Sequence, residues 1–494
     1  MCKMKKIKYI VAILTLVIGF VACNKPLSEM NSNPLALSTL PDEYLFTTAI
    51  RQSFWDCSHD LRFFAQYDHI YVTNSEDRAA DGYKDFHTQD IYKEMFSAVY
   101  VGPLRYINEV LALTSAGKTK NPVRNAMAQI IAITNFSRAT DCWGDVPYTE
   151  GAQGGTIKYP KYDRQKAIYA DMIEKLKQAI AILKVANSAD GYNGADPIYN
   201  NDLTKWVRFA NSLRFRLAMR IRFVDPANSA TIIAECMSQP LIESNDQNFE
   251  LKHQESDNGD FYNHWFDLRK NQNYKMSDKF TEWLKSSNDP RLSVFVQPNG
   301  SGERKGALNG LNDQTYSLLT WSDYSDPMPV LYSKSLSQFM MAASEVWFLK
   351  AEAALYNLIP GDPNQFYQQG TTLNLQLWNV DAASISDFLT NQPEATLNGS
   401  IENKFRQIGT QMWIAFIPNF SEAWSNIRRT GYPEIPQRTD ASIYSLGVTN
   451  GFLPKRFKYA SSEYLNNQVN VDDAVKIQGP DKIDTPVWWD VRGN

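Results

Sequence analysis

Apolar residues recur at helical spacing through this 494-residue chain, with almost no strand-like alternation, and that period is what most limits its fold. Ile168, Met172, Leu176, Ala179 and Leu183 share one face of a helix that Asp163 is placed to cap. Leu203, Trp206, Ala210, Leu213, Leu217 and Ile221 align on a second, opened by Asp202. Arg208, Arg214, Arg216, Arg220 and Arg222 occupy its remaining faces, which reads as a solvated surface with salt bridges. A third helix is predicted over 335–357, where Ala342, Ala343, Ala351, Ala353 and Ala354 leave room for a close neighbour. Alternation suited to a strand is brief, near 293–297. A hydrophobic content of 43% is ample for one core, and no Pro/Gly/Ser-rich linker divides the chain. The prediction is an all-α dominated body with little β structure.

The N-terminus, MCKMKKIKYIVAILTLVIGFVACNK, places four lysines before an apolar run that ends at Ala22-Cys23. A basic stretch, a short apolar stretch and a small residue at the break make a secretory leader. The run is short for a membrane span, which needs about 20 apolar residues. Phe20-Val21-Ala22-Cys23 resembles a bacterial lipobox, which implies cleavage before Cys23 and acylation of its thiol. Residues 1–22 are then a signal peptide, 23–40 a polar, proline-punctuated tether, and 41–494 one body.

Charge and motif content exclude several functions. The net charge is −4, and loss of the leader lysines makes the remainder more acidic, which argues against a nucleic-acid partner. Beyond the leader and Cys23 stand Cys57, Cys142 and Cys236, an odd number at spacings that fit neither a zinc site nor a disulfide framework. No H-E-x-x-H, G-x-S-x-G or P-loop motif occurs, so no catalytic residue and no metal ligand is assigned. Asp190, Asn193 and Asp196 make an oxygen-rich loop where calcium is conceivable, but the spacing fails the EF-hand pattern.

Several segments carry a family resemblance. Gly144-Asp145-Val146-Pro147-Tyr148-Thr149, then Tyr159-Pro160-Lys161-Tyr162-Asp163, resemble the loop-to-helix motif of the SusD/RagB family of nutrient-binding outer-membrane lipoproteins. The arginine-rich helix at 206–221, Asn288-Asp289-Pro290-Arg291-Leu292, the stretch 345–355 and the terminal Thr485-Pro486-Val487-Trp488-Trp489-Asp490 are similar to the family in the same order. The resemblance implies tetratricopeptide-like helix pairs packed against a loop-rich region. It also implies a surface-facing, lipid-anchored outer-membrane protein without catalytic activity or a required cofactor. Such a protein would capture oligosaccharide or other nutrients for a SusC-like, TonB-dependent transporter. The rivals are a surface glycoside hydrolase, which needs two facing carboxylates, and a transporter-associated scaffold or peptide-binding lipoprotein.

Long aromatic, polar segments at 67–86, 253–276 and 297–332 separate the helices, and loops of such length usually serve function. Aromatic faces stack on the C–H faces of sugar rings while amides and charges meet the hydroxyls. The candidate ligand residues are Tyr67, Tyr71 and Asn74, then Trp265 and Tyr274, then Trp321 and Tyr324. The competing role for such rings is to pin loops onto the body. Gly144 to Tyr148 and Trp488-Trp489 are expected to be structural, the latter packing the tail.

Overall fold

Asp202 caps the helix it precedes: its Oδ1 accepts the backbone N–H groups of Thr204 and Lys205. That helix is one of fourteen longer ones in a computed structural model that describes residues 40–492, apart from 56–59, 74–77, 86–90, 154–155, 259–260 and 272–273. In chain order they are α1 (Asp42–Trp55), α2 (Ile91–Tyr100), α3 (Pro103–Ser115), α4 (Pro122–Trp143), α5 (Gln165–Lys184), α6 (Leu203–Arg220) and α7 (Pro226–Met237). There follow α8 (Asp278–Ser286), α9 (Ala343–Leu355), α10 (Pro363–Leu377), α11 (Ala382–Asn391), α12 (Ile401–Ala415), α13 (Phe420–Thr430) and α14 (Gln468–Gln478). Cys23, Cys57 and Asn74 lie outside the described residues.

Successive helices pack as pairs in the tetratricopeptide manner: α3 with α4, α4 with α5, α5 with α6, α6 with α7, then α9 with α10 and α12 with α13. α4 is buried almost all round, and α9 likewise, so neither shows a clean amphipathic stripe. Among the described residues strands are few and short. β1 (Tyr71–Thr73) pairs antiparallel with β3 (Tyr274–Met276), and β2 (Phe249–Leu251) with β4 (Gln338–Met341). Among the described residues no helix is long and apolar enough to cross a membrane.

Four local expectations change. The helix expected over 335–357 starts at Ala343, because 338–341 is β4, and Asn248 Oδ1 accepts the Ala343 amide at 2.7 Å. The stretch near 293–297 is no strand: Arg291–Phe295 is a helical turn, and Val296 alone forms a bridge, to Pro327. Buried Arg291 draws that turn inward, pairing with Asp289 and donating to Asn374 Oδ1 and Gln411 Oε1. Asp163 does not cap α5. Its carboxylate takes the Tyr148 and Thr149 amides, and Asp145 accepts the Gln165 amide at 2.8 Å instead.

The fourth change is the largest. Arg214, Arg216, Arg220 and Arg222 are buried, so α6 is not a solvated basic surface. Arg216 pairs with Glu345 and Arg220 with Glu422, while Arg222 and Arg429 share Glu352. Burial at this cost requires pairing, and the acids of these pairs come from α9 and α13, while Arg214 pairs with Glu235 of α7. Burial acts to raise the Glu352 carboxyl, but Arg429 and Arg222 outweigh it and hold the group below the usual carboxylate range.

The tail closes the body. Trp489 is buried and donates from Nε1 to Asp141 Oδ1 at 2.8 Å, and Arg220 lies 5.2 Å over its ring. Asp141, at the end of α4, also accepts the Tyr169 hydroxyl of α5. Gly144 is a structural turn residue as expected: its φ is +81°, and a Cβ there would sit 2.0 Å from Gln478 Oε1. Asp196 is not a free calcium ligand. Its carboxylate accepts the Ile198, Tyr199 and Asn201 amides and the Trp206 indole N–H. Among the described residues no group of three His, Cys, Asp or Glu side chains could hold a metal ion. Cys236 is a free, buried thiol, pushed by burial up to about 12.

Candidate functional site

Contacts to Leu336 and Phe420 decide which loop aromatics face solvent. In the segment 261–266, Asn263 and Trp265 point inward: Asn263 Nδ2 donates to Leu336 O at 2.9 Å, and Trp265 stacks on Phe420 at 5.3 Å. Their neighbours Tyr262, His264 and Phe266 are therefore turned outward and half-exposed, with Phe261 exposed beside them. Tyr262 lies 5.0 Å from His264 and 6.4 Å from Phe266, ring to ring. Lys334 places its ammonium 5.5 Å over Tyr262 and 5.1 Å over Phe266. Half-exposed Tyr332 is covered by Arg269 at 5.4 Å.

Polar groups rim these rings. Tyr262 donates its hydroxyl to Asp267, Lys334 pairs with exposed Asp257 at 2.5 Å, and Arg269 pairs with Asp326 at 2.7 Å. The hydrogen bond to Lys334 holds the Asp257 carboxyl below the usual range. The result is a surface of aromatic faces with donors and acceptors at the edges, suited to a ligand with both apolar faces and hydroxyls.

A second exposed cluster involves two sequence candidates. Trp321 and Tyr324 are half-buried, 6.4 Å apart, and Tyr316 lies 5.3 Å from Trp321. Arg78 sits 3.3 Å over Tyr316 and Lys305 5.1 Å over Tyr324. The segment that carries Trp321 and Tyr324 continues to Asp326, the partner of Arg269.

Four candidates are in the wrong place to stack on a ligand. Tyr67, Tyr71, Trp265 and Tyr274 are buried in the core. Tyr67 packs among Tyr83, Trp424 and Phe457, while Tyr71 meets Tyr274 and Phe420 edge-on. These rings pin β1, β3 and the adjoining loops to α13. Tyr262 and His264 belong to the Tyr262-Asn263-His264-Trp265 mixture of rings and polar groups that the sequence offers for sugar capture, whereas nothing in the sequence singles out Phe266 and Tyr332. No sequence pattern in 261–266 marks the outward rings, because the stretch is a turn leading into the helix Trp265–Asn271 and its facing is set by the contacts of Asn263 and Trp265.

A family profile described as SusD-like, starch-binding and associating with the outer membrane matches residues 34–460. The fold is similar to solved structures across almost the whole chain. A chitin-binding protein shares 26% identity at a TM-score of 0.81, covering 92% of this chain and 100% of that one. A SusD homologue from Bacteroides uniformis shares 26% identity at a TM-score of 0.74, with 91% and 99% covered. A chitin-binding SusD homologue from Flavobacterium johnsoniae, at 24% identity and a TM-score of 0.78, covers 91% and 99%. No curated protein matches the sequence.

Proposed function

The chain belongs to the SusD-like family, and from that premise we propose that it captures oligosaccharide nutrients at the outer membrane without cleaving them. In this reading residues 1–22 are removed, acylated Cys23 anchors the chain facing the cell surface, and 23–40 tether the body 41–494. A TonB-dependent, SusC-like transporter receives the ligand. Attachment of this kind needs more than one acyl chain, each buried methylene contributing about 0.8 kcal/mol.

The observation that carries the reading is the half-exposed aromatic surface of Tyr262, His264, Phe266 and Tyr332 with its charged rim. Stacking on such rings is sequence-tolerant and non-destructive, which suits capture. A glycoside hydrolase would instead need a carboxyl kept protonated by its surroundings. Asp257 at this surface is pushed the other way, whereas Asp278, away from these rings, is raised by burial, so product analysis separates the two readings.

The resemblance to a chitin-binding structure makes β-1,4-linked N-acetylglucosamine oligomers the first ligands to try, and the starch-binding family description makes α-1,4-glucans the second. Calorimetric titration of the body with the two hexasaccharides, followed by product analysis, tests the proposal. Binding of at least one, recovered intact, is expected. Cleavage abolished by replacing one Asp or Glu would move the protein to the hydrolases.

A further inference from the structure

A separate cleft of about 370 Å³ opens between His69, the first turn of α8, the turn at 308–309 and residues 436–440. Its rear wall is fixed in place. The Arg438 guanidinium lies 3.7 Å over the Tyr83 ring, donates to the Asp81 carbonyl at 2.5 Å and comes within 3.4 Å of His69 Nε2. It is also stacked against Gly310, where a Cβ would fall 2.0 Å from its Cζ. His69 adopts a left-handed backbone with φ of +54°, an arrangement that persists only where surroundings enforce it.

At the mouth stand two adjacent side chains with unused hydrogen-bonding capacity. Asp278 and Lys279 both line the cleft and are half-buried, and among the described residues neither side chain makes a hydrogen bond or ion pair. Burial raises the Asp278 carboxyl more than Lys285 and Lys305 lower it, and lowers the Lys279 ammonium more than Glu434 raises it, so both charges are only partly offset by the protein. Burial, then Arg438 and Lys279, hold His69 well below its ordinary range, leaving a neutral ring with one donor and one acceptor.

We propose that this cleft is a second carbohydrate subsite, in which Asp278 accepts from, and Lys279 donates to, hydroxyls of one sugar unit. The assignment rests on the oligosaccharide-binding reading above but uses none of the aromatic surface. Charge balance selects the ligand class. A phosphate or sulfate group would meet the Asp278 and Asp440 carboxylates, and a polycation would meet Lys279 and Arg438. Hydroxyls are donors and acceptors at once and satisfy both signs without net charge. Half-exposed Tyr444 and exposed Leu308 supply apolar contact for the ring faces.

The test is titration of the body carrying Asp278→Asn and Lys279→Met with the same two hexasaccharides, beside Tyr262→Ala/Phe266→Ala and the combined variant. Because neither side chain makes a hydrogen bond or ion pair among the described residues and both charges are held at a cost, melting temperature should not fall below the wild-type value. Hexasaccharide affinity in the cleft variant should fall about tenfold, the loss expected for charge-assisted hydrogen bonds. The combined variant should bind more weakly than either parent. Wild-type affinity in the cleft variant overturns the subsite while leaving the aromatic surface standing. A wild-type protein that binds neither hexasaccharide overturns the nutrient reading and the subsite together. Glycine or diglycine binding that is lost in the cleft variant, with sugar binding unchanged, would instead make the cleft a zwitterion site.

Discussion

Arg216 holds Glu345 by two hydrogen bonds, from Nε at 2.5 Å and from Nη2 at 2.6 Å, and both side chains are buried. The pair ties α6 to α9 across 129 positions of sequence, so it fastens the early helix pairs to the later ones. Arg216 Nη2 also donates to the Met340 carbonyl of β4 at 2.6 Å.

Removing one member should leave a buried charge uncompensated. Arg216→Ala is expected to cost about 3–5 kcal/mol, read by urea denaturation. Arg216→Met with Glu345→Leu should recover most of that loss, since well-packed apolar pairs often replace buried ions. A double variant no more stable than the single would show that fit, not charge, dominates here.

Two carboxyls on α9 should respond to acid with opposite sign. Glu352 lies below the ordinary carboxyl value of 4.5 when folded, since Arg429 and Arg222 outweigh the burial that would raise it. Its contribution is present above pH 4.5 and is lost as pH falls toward the folded value. Glu345 is raised, by burial that Arg216 does not fully offset. It therefore favours the folded state increasingly as pH falls through its folded value toward 4.5. Denaturation midpoints measured from pH 7 to pH 3 should fall less steeply for Glu352→Gln than for wild type, and more steeply for Glu345→Gln. Parallel curves would contradict both directions.

Adjacent residues at 262–266 should separate binding from folding. Tyr262→Ala and Phe266→Ala are expected to weaken hexasaccharide binding by roughly 1–2 kcal/mol each with unchanged circular dichroism. Trp265→Ala, which empties a core site against Phe420, should cost about 3–5 kcal/mol of stability instead. Trp321→Ala should resemble the first pair. If all the exposed-ring variants bind normally, the aromatic surface is not the ligand site.

Gly310 has φ of +73° beneath the Arg438 guanidinium. Gly310→Ala should displace Arg438 and cost on the order of 1–3 kcal/mol through backbone strain and lost packing. Thermal melts check the cost, and a crystal structure of the variant checks whether the guanidinium has left Tyr83.

Cys23→Ser should abolish acylation, giving a chain that is released in soluble form or keeps its leader. Metabolic labelling with a fatty acid and membrane fractionation read this directly. Continued labelling and membrane retention would place the anchor elsewhere.

Helical periodicity, the cap at Asp202, the tail packing of Trp488-Trp489 and the family were legible in the sequence because each depends on residues close along the chain or on motif order. Spacing alone could not say that Arg216 and Arg220 are buried, because their partners Glu345 and Glu422 arrive from α9 and α13. Nor could it say that Asp145, not Asp163, caps α5, since the capping group comes from twenty residues upstream. The same limit decided the site. Tyr262 and Trp265 are equally aromatic in sequence, but Phe420 buries one ring and leaves the other outside. Composition and period determined that helices form and pack. Which aromatic faces meet water was decided by contacts between distant segments, because burial is a property of the folded surface and not of the residue.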